Sequence, residues 1–398
     1  MKILDWNKLG PAERLRALAR PEQRSDPALK DAVRAIVERV RAGGWEALSR
    51  EALRIDGQPP RPERVAPAAA EARHRLEPEQ VEAIELAARN IAFFHEQSRP
   101  IDRAVETVAG LTVRQIWRAI DRVGLYVPGG LDPAVALAAE LCGIETIWTG
   151  GGAQAIAALA FGAGGIARVD KICGPGNAWV AEAKTYVAAL PGGPAIDLPA
   201  GPSELMVIAD ESADPGIVGA DLLSQAEHDA AAQVMLVTDS KQLASRVLIE
   251  VEAQAALLPR SEAVRGALAN ARIILAASVD QAVEVANEYA PEHLSLAVRD
   301  AEALVGRIRN SGAVFAGGNA AETIGDYLAG SSHVLPTDGA ARAWSGVSVH
   351  TFLKSMSVQT LTAEAADRVA RPAAVLARLE GLEAHARAAE ARRGPVPA

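Results

Sequence analysis

The stretch Leu205-Met206-Val207-Ile208 is a short apolar run of the kind that forms a buried strand, and a regular alternation of strand and helix begins with it. Helical spacing runs from Gly216 to His228, a second strand pattern from Gln233 to Val237, and a second helix from Lys241 to Ala255. This order predicts βαβ units in a mostly parallel sheet. Ligands of such sheets bind at the loops outside the carboxyl ends of the strands, so functional residues are expected there.

The same alternation continues towards the C-terminus and is also present upstream. Downstream, the pattern predicts strands at 272–275, 294–298 and 313–316, with helices at 279–288 and 300–309. Upstream, it predicts strands at 122–127, 146–149 and 171–173, helices at 153–161 and 178–189, and a helix that Asp132 caps and Pro133 begins, ending at Gly143. The chain therefore contains two α/β blocks, and neither has a GxGxxG fingerprint after a strand.

Helical segments flank these blocks. Residues 27–97 have a helical pattern that is broken at Gly43-Gly44 and resumes in a long amphipathic segment opened by Pro78, and a last helix is predicted beyond Pro372. The predicted fold class is α/β, with two Rossmann-like parallel-sheet domains, a helical N-terminal part and a small C-terminal helical tail. The expected domains are 1–122 with 204–345, an inserted second α/β domain at 123–203, and a C-terminal helical tail at 346–398.

Composition and charge point to a soluble globular protein with a small-molecule partner. The 398 residues are 49% hydrophobic and 23% charged, and the net charge of -9 gives no basic footprint for nucleic acid or an anionic membrane. The charged N-terminus lacks the apolar core of a signal peptide, so the expected location is the cytoplasm. Cys142 and Cys173 are the only cysteines, and they form no framework or CxxC motif.

Two pairs of residues could carry chemistry. Gln225 and His228 lie three apart in a helical pattern, so both can face one side and offer an oxygen and a nitrogen to a metal. Glu292 and His293 follow a proline between a helix and a strand, which predicts a loop, and both side chains can move protons. Spacing alone leaves the structural alternatives open, because isolated histidines are commonly packed or solvated.

Several longer blocks, in order, resemble the histidinol dehydrogenase family over nearly the whole chain. These blocks are Val123–Gly130, Gly151–Gly162, Val169–Asn177, Pro199–Glu204, Ser224–His228, Asn287–His293, Gly325–Tyr327 and Ser332–Pro336. The resemblance implies a zinc-dependent, NAD-linked homodimeric enzyme of histidine biosynthesis. Such an enzyme oxidises L-histidinol twice, through an aldehyde, to L-histidine.

The resemblance also implies roles for individual residues. The implied zinc ligands, which also contact the substrate, are Gln225, His228, Asp326 and His385 of the partner subunit. The implied catalytic residues are His293, which would take the hydroxyl proton and contact substrate, and Glu292, which would activate water. Further substrate contacts are expected from Ser203, His333 and Glu380, and NAD contacts from Tyr126, Gln154 and Asn177.

One segment departs from the family pattern. The chain passes from Gly130 directly into Leu131-Asp132-Pro133, where the family has a further strand and helix, on the order of 30 residues. The loss falls beside the expected NAD site. Four interpretations follow: an active histidinol dehydrogenase, a related zinc and NAD dehydrogenase of another small alcohol, a non-catalytic homologue that has lost NAD binding, and a zinc hydrolase that uses the same Glu and His to attack with water.

Overall fold

The computed structural model describes residues 1–20, 27–128, 130–198 and 201–393. Two compact units divide the chain: Met1–Gln97 with Asp121–Ser348, and Ser98–Ile120 with the chain from Val349 onward. Both predicted α/β blocks therefore lie in the first unit. The three-domain division at 122, 203 and 345 stays a prediction.

Fourteen strands are present in the described residues. They are β1 (Lys2–Asp5), β2 (Pro62–Arg64), β3 (Arg103–Val108), β4 (Leu111–Ala119), β5 (Val123–Leu125), β6 (Thr146–Trp148), β7 (Lys171–Cys173), β8 (Ala195–Ile196), β9 (Glu204–Ala209), β10 (Gln233–Thr238), β11 (Arg272–Leu275), β12 (His293–Ala297), β13 (Ala313–Ala316) and β14 (Leu353–Leu361).

Fifteen α-helices accompany them in the same part of the chain. They are α1 (Pro11–Ala17), α2 (Pro27–Asp56), α3 (Val65–Arg75), α4 (Pro78–Gln97), α5 (Pro133–Leu141), α6 (Gly152–Phe161), α7 (Ala178–Ala189), α8 (Pro215–Ala226), α9 (Lys241–Ala255), α10 (Ser261–Asn270), α11 (Val279–Tyr289), α12 (Ala301–Val305), α13 (Glu322–Tyr327), α14 (Ala363–Leu379) and α15 (Glu383–Glu390).

The main sheet of the first unit has six parallel strands in the order β1-β11-β10-β9-β12-β13. Strands β9, β10 and β12 are buried along their whole length, as expected of a parallel sheet covered on both faces. Successive side chains of β9 enter opposite layers, because side chains alternate across a strand. Leu205 and Val207 pack with α8, α9 and α10, while Met206 and Ile208 pack with α11 and Trp6.

The second parallel sheet of this unit is small, with three strands in the order β5-β7-β8. Side chains of α2, α6 and α7 form its core. Two parallel sheets with helices confirm the predicted α/β fold class. The strand predicted at 146–149 is present as β6, but it lies outside the small parallel sheet and pairs antiparallel with β2, which comes from the proline-rich segment before α3.

The N-terminal helices follow the predicted pattern. The break at Gly43-Gly44 is real: Gly44 has φ 53 and ψ -134, a conformation that glycine adopts at little cost, and it interrupts the helical geometry of α2. Pro78 begins α4 as predicted. No helix within the described ranges is long and apolar enough to span a membrane.

The second unit contains an antiparallel sheet, β14-β4-β3, together with α14 and α15. The predicted C-terminal helices are present as α14 and α15, and a strand precedes them, since Leu353–Leu361 pairs with Leu111–Ala119 along nine residues. The helix predicted beyond Pro372 already begins at Ala363, because α14 runs through this proline, and α15 follows it. Strand pairing between segments this distant in sequence leaves little local signal, so no local pattern indicates β14.

Candidate active site

The core of the site lies where β9 and β12 begin side by side. The expectation that functional residues lie at the carboxyl ends of the parallel strands is therefore wrong for this pair, because Glu204 and His293 are the first residues of β9 and β12. The Nδ1 of His293 donates to the Glu204 carbonyl oxygen at 3.0 Å, and the Glu204 amide donates to Oε2 of Glu292 at 2.8 Å. Glu292 and His293 are 6% and 3% exposed. The prediction that this pair lies in a loop outside the core is therefore wrong, because His293 is the first residue of β12 and hydrogen-bonds to β9.

Helix α13 brings two carboxylates towards His293. Glu322 and Asp326 lie four residues apart and therefore share one face of the helix. An Asp326 carboxylate oxygen lies 3.4 Å from Nε2 of His293, and a Glu322 oxygen lies 4.0 Å from Nδ1. This close approach requires glycine at Gly325, because a Cβ there would lie 2.2 Å from the ring of Phe315, which stacks on His293.

Helix α8 supplies Gln225, which is fully buried. With its amide oriented by its neighbours, the nitrogen donates to Oε1 of Glu322 and the oxygen accepts from the Glu204 amide at 3.2 Å. His228 lies in the turn after α8, which ends at Ala226, so the predicted helix end at His228 is two residues too late. Burial lowers the pKa of His228, and the charge of Asp326 opposes that shift.

Burial and clustered charge shift three of these pKa values upward. Burial raises the pKa of Glu292 to about 8 and that of Glu322 to about 7, because a carboxylate loses solvation away from water. Burial alone would lower the pKa of His293, but Asp326, Glu292 and Glu322 outweigh it and raise this pKa to about 9. Together these charges favour a protonated imidazole on His293.

The arrangement fits a divalent cation. One ligand atom each from His293, Glu322 and Asp326 lies within 4.8 Å of the others, the one such group of His, Cys, Asp and Glu found in the described chain. Oε2 of Glu322 is buried and has no hydrogen-bond partner. A buried carboxylate oxygen without a partner is costly, and imidazole and carboxylate donors suit zinc. Asp326 belongs both to this group and to the predicted zinc ligands. Gln225, another predicted ligand, contacts the group by its hydrogen bond to Glu322.

A second cluster lies beside the small sheet. The Gly152 amide donates to the Tyr126 hydroxyl at 3.2 Å, while Asp56 accepts from the Gly151 amide at 3.4 Å and from Nε2 of Gln154 at 3.1 Å. Two of the three residues predicted to contact NAD are thereby joined in one network. A cleft of about 450 Å³ adjoins this network, and its walls include Asp56, Tyr126, Gly130, Leu131 and Gly151.

The loop after β7 is fixed by a buried ion pair. Lys184 pairs with Asp197 and donates to the Gly174 carbonyl at 2.9 Å, and the Gly174 amide donates to Asp197 at 2.7 Å. Gly174 has φ 127, and a Cβ there would lie 1.9 Å from the Tyr126 carbonyl oxygen, so only glycine fits. Asn177, the third residue predicted to contact NAD, ends this loop and caps α7 with its side-chain oxygen.

The remaining predicted substrate contacts are more scattered. Ser203 directly precedes β9 and its carbonyl accepts from Gln233 at 2.9 Å, which places it next to Glu204. His333 is exposed in the loop after α13. Glu380 and His385 lie in the second unit, at the end of α14 and within α15, and both are exposed. Their contacts with substrate and metal stay predictions.

Sequence reasoning missed four residues of these clusters. Glu322 had a local signal, since it lies one helical turn before Asp326 on the same face. Glu204, Arg20 and Asp56 had none, because their partners are distant in the sequence. Arg20 binds Glu204 across 184 positions, and Asp56 binds Gln154 across 98.

Fold and site together define an α/β enzyme with a buried Glu-His acid–base pair beside a candidate cation site. The family model described as histidinol dehydrogenase matches residues 18–134 and 129–393. The chain belongs to the histidinol dehydrogenase family, and it is an oxidoreductase.

Individual relatives agree along the full chain. A histidinol dehydrogenase of Xanthomonas euvesicatoria is 43% identical over 431 aligned positions that cover 99% of each chain, and one of Xylella fastidiosa is 42% identical over 432 positions that cover all of both. The crystal structure of histidinol dehydrogenase from Elizabethkingia anophelis superposes with a TM-score of 0.93 at 34% identity, covering 98% of each chain. The two family matches overlap at residues 129–134, at the join after Gly130 where the sequence departs from the family pattern.

Proposed function

We propose that the protein oxidises L-histidinol to L-histidine in two NAD-linked steps at a zinc site, as part of histidine biosynthesis. The observation that carries this proposal is the buried Glu292-His293 pair, fixed on the Glu204 backbone with the imidazole 3.4 Å from Asp326. Family membership supplies the substrate class. The cytoplasm is the expected location.

The proposed zinc ligands are Gln225, His228, Asp326 and His385 of the partner subunit. Zinc, when bound, would orient the imidazole and amine of histidinol, and NAD would accept the electrons of each oxidation. The surplus of buried carboxylate around His293 supports a cation here. Ser203, His333 and Glu380 are the further residues proposed to contact the substrate.

The two catalytic roles are proposed from hydrogen bonding. Because Nδ1 of His293 is bound to the Glu204 carbonyl, Nε2 is the ring nitrogen left to take the hydroxyl proton of histidinol. Glu292 would take a proton from the water that hydrates the aldehyde before the second oxidation. A cation beside Asp326 would favour the neutral imidazole that the first of these roles requires.

The cofactor role is proposed for the cleft beside the small sheet. At the start of α6, the Tyr126 hydroxyl accepts from the Gly152 amide, and Asp56 accepts from Gln154. Asn177 caps the next helix, α7. Backbone amides at the N-terminus of a helix favour an anionic group such as a phosphate. The shortened join, Gly130-Leu131, lines the same cleft.

A homodimer that shares its active sites is also proposed. In a single chain, α4 has no buried residue among its 20, although it carries Ile91, Phe93 and Phe94. On α14, Leu376 and Leu379 are 63% and 78% exposed. Large exposed apolar side chains of this kind mark surfaces that a partner covers.

The test is NADH formation at 340 nm with purified protein, comparing L-histidinol with other small alcohols before and after chelation and re-addition of zinc. Zinc-dependent oxidation with the highest kcat/KM for L-histidinol is expected. Preference for another alcohol would replace the proposed substrate. Binding of histidinol without NADH formation would mean that the cofactor half has lost its function.

Site sharing has its own test in mixed dimers. A His385→Ala chain and a His293→Ala chain are each expected to be nearly inactive. Mixed dimers should recover part of the activity, because one of their two sites would then be complete. No recovery, with heterodimers shown to form, would count against the contribution of His385 of the partner subunit.

A further inference from the structure

A buried ion pair lies behind the acid–base pair and does not belong to the proposed catalytic or ligand residues. Arg20 and Glu204 form a two-point contact, with Nε to Oε1 at 2.5 Å and Nη2 to Oε2 at 2.8 Å. Their side chains are 17% and 2% exposed. The guanidinium also lies over the ring of Tyr289, 3.8 Å from its centroid. A bidentate pair of this kind fixes geometry as well as charge.

Each partner of the pair holds one side of the catalytic segment. The backbone of Glu204 binds both catalytic side chains, its amide to Glu292 and its carbonyl to His293. Arg20 donates to the carbonyl oxygens of Tyr289 at 3.0 Å and Ala290 at 3.3 Å, which directly precede the Pro291-Glu292-His293 run. The ion pair therefore ties the start of β9 to the end of α11.

Backbone conformation gives an independent indication. Ala290 and Asp338 are the two residues other than glycine with positive φ in the described chain, both at 56°. Both are hydrogen-bonded to this ion pair: Arg20 binds the Ala290 carbonyl, and the Asp338 amide donates to Oε1 of Glu204 at 2.9 Å. Left-handed backbone at such residues is costly and persists where surrounding contacts hold it, typically near functional sites.

We propose that Arg20 and Glu204 are positioning residues for the reaction: their ion pair sets the backbone on which Glu292 and His293 are aligned. This inference rests on the proposed catalytic roles of those two residues. Neither Arg20 nor the Glu204 side chain touches the substrate in this proposal. Loss of the pair should therefore lower turnover while binding of zinc and histidinol persists.

The test compares Arg20→Met with Arg14→Met. Arg14 makes similar contacts in the same N-terminal region, since its guanidinium lies 5.1 Å from the Trp6 ring centroid and donates to the Trp6 carbonyl at 3.1 Å, but it binds no residue of the site. Arg20→Met is expected to lower kcat about 10- to 100-fold, with KM for histidinol and zinc content within about twofold of the wild type. Arg14→Met should leave kcat unchanged.

Two further variants keep the test decisive. Glu204→Gln retains the side-chain shape but removes the charge, so it should lower kcat with an unchanged KM even if Arg20→Met folds poorly. Arg20→Lys should recover only part of the loss, because an ammonium cannot make the two-point contact and reach both carbonyls. Histidinol binding by calorimetry and zinc content by metal analysis give readouts besides activity.

His293→Ala, measured in parallel, distinguishes failure of the positioning role of Arg20 and Glu204 from failure of the catalytic role of His293. If His293→Ala is nearly inactive while Arg20→Met and Glu204→Gln keep wild-type kcat, the positioning proposal is overturned. Equal losses of kcat in Arg14→Met and Arg20→Met would also overturn it, since they would reflect general destabilisation. If His293→Ala itself retains turnover, the proposed catalytic role has failed instead.

Discussion

The two parallel sheets of the first unit differ in how they support the site. In the main sheet, β9 and β12 are buried strands of six and five residues whose ends hold the acid–base pair through backbone hydrogen bonds. In the small sheet, the strands have two or three residues, and a single buried ion pair fixes the loop that carries Asn177. The shortened segment lies on the small-sheet side. Departure from the family pattern thus falls beside the proposed NAD cleft and leaves the surroundings of Glu292 and His293 whole.

The largest effect is expected on the main-sheet side. His293→Ala should lower kcat about 10²- to 10⁴-fold, the usual contribution of a positioned general base, while zinc stays bound. Steady-state kinetics with metal analysis measures both quantities. His74→Ala is the control, because His74 is exposed on α3 away from the site. Near-normal turnover of His293→Ala would remove its proposed role, and Glu292→Ala tests Glu292 in the same way.

The next effect is expected in the small sheet. Lys184→Met leaves the Asp197 carboxylate buried without its cation and should lower the free energy of unfolding by about 3–5 kcal/mol. It should also raise KM for NAD, because the Gly174 loop loses its anchor. Denaturant unfolding and NAD titration test the two expectations.

The control for Lys184 lies on the same sheet. Arg122 and Asp170 form an exposed ion pair with contacts of 3.0 and 3.2 Å. Exposed pairs contribute little to stability, so Arg122→Met should unfold close to the wild type. If Arg122→Met proves as destabilising as Lys184→Met, the small sheet does not depend on its buried pair.

A smaller effect is expected at the cleft. Asp56→Ala removes the acceptor that holds Gln154 and the Gly151 amide, and it should raise KM for NAD about tenfold, as expected for a hydrogen bond to a charged group. Zinc content and histidinol binding should stay unchanged. Glu63→Gln, on the wall of the same cleft, is the control and should behave like the wild type. An unchanged KM for NAD in Asp56→Ala would place the cofactor elsewhere.

The smallest effect is a pH dependence of stability. Burial raises the pKa of Asp221 from 3.8 to about 6 in the folded chain. As pH rises, the unfolded chain therefore loses this proton before the folded chain does. The free energy of unfolding falls between the two pKa values and stays lower above them. In zinc-free protein, Asp221→Asn should raise Tm at about pH 8 and leave it nearly unchanged below about pH 4. An equal gain at both pH values would point to a cause other than ionisation.

Local patterns were sufficient to predict most of the first unit. Strand Lys171–Cys173 and helix Ala178–Ala189 match the predicted bounds, and Asp132 caps α5 as expected, because strand runs and caps are encoded within a few residues. Helix α12 is shorter than the predicted 300–309, ending at Val305. Helix ends are the least certain part of such patterns.

Long-range contacts account for what sequence could not predict. The pairing of Leu111 with Leu361 joins segments far apart in the chain, and no local pattern specifies it. The surroundings of His293 likewise come from distant segments, since Phe315 stacks on its ring and Glu322 and Asp326 approach it from α13. The resemblance pointed to Glu292 and His293, but the hydrogen bonds that fix them needed the structure.

The measurement that tests the central claim most directly is a complete time course in one reaction, counting NADH formed and L-histidine produced per L-histidinol consumed with zinc present. If the site around Glu292 and His293 is intact and the shortened region beside the small sheet still binds NAD, we expect two NADH and one L-histidine per L-histidinol. No NADH from protein that binds zinc and L-histidinol would contradict it, and would show that the shortened segment has abolished use of the cofactor.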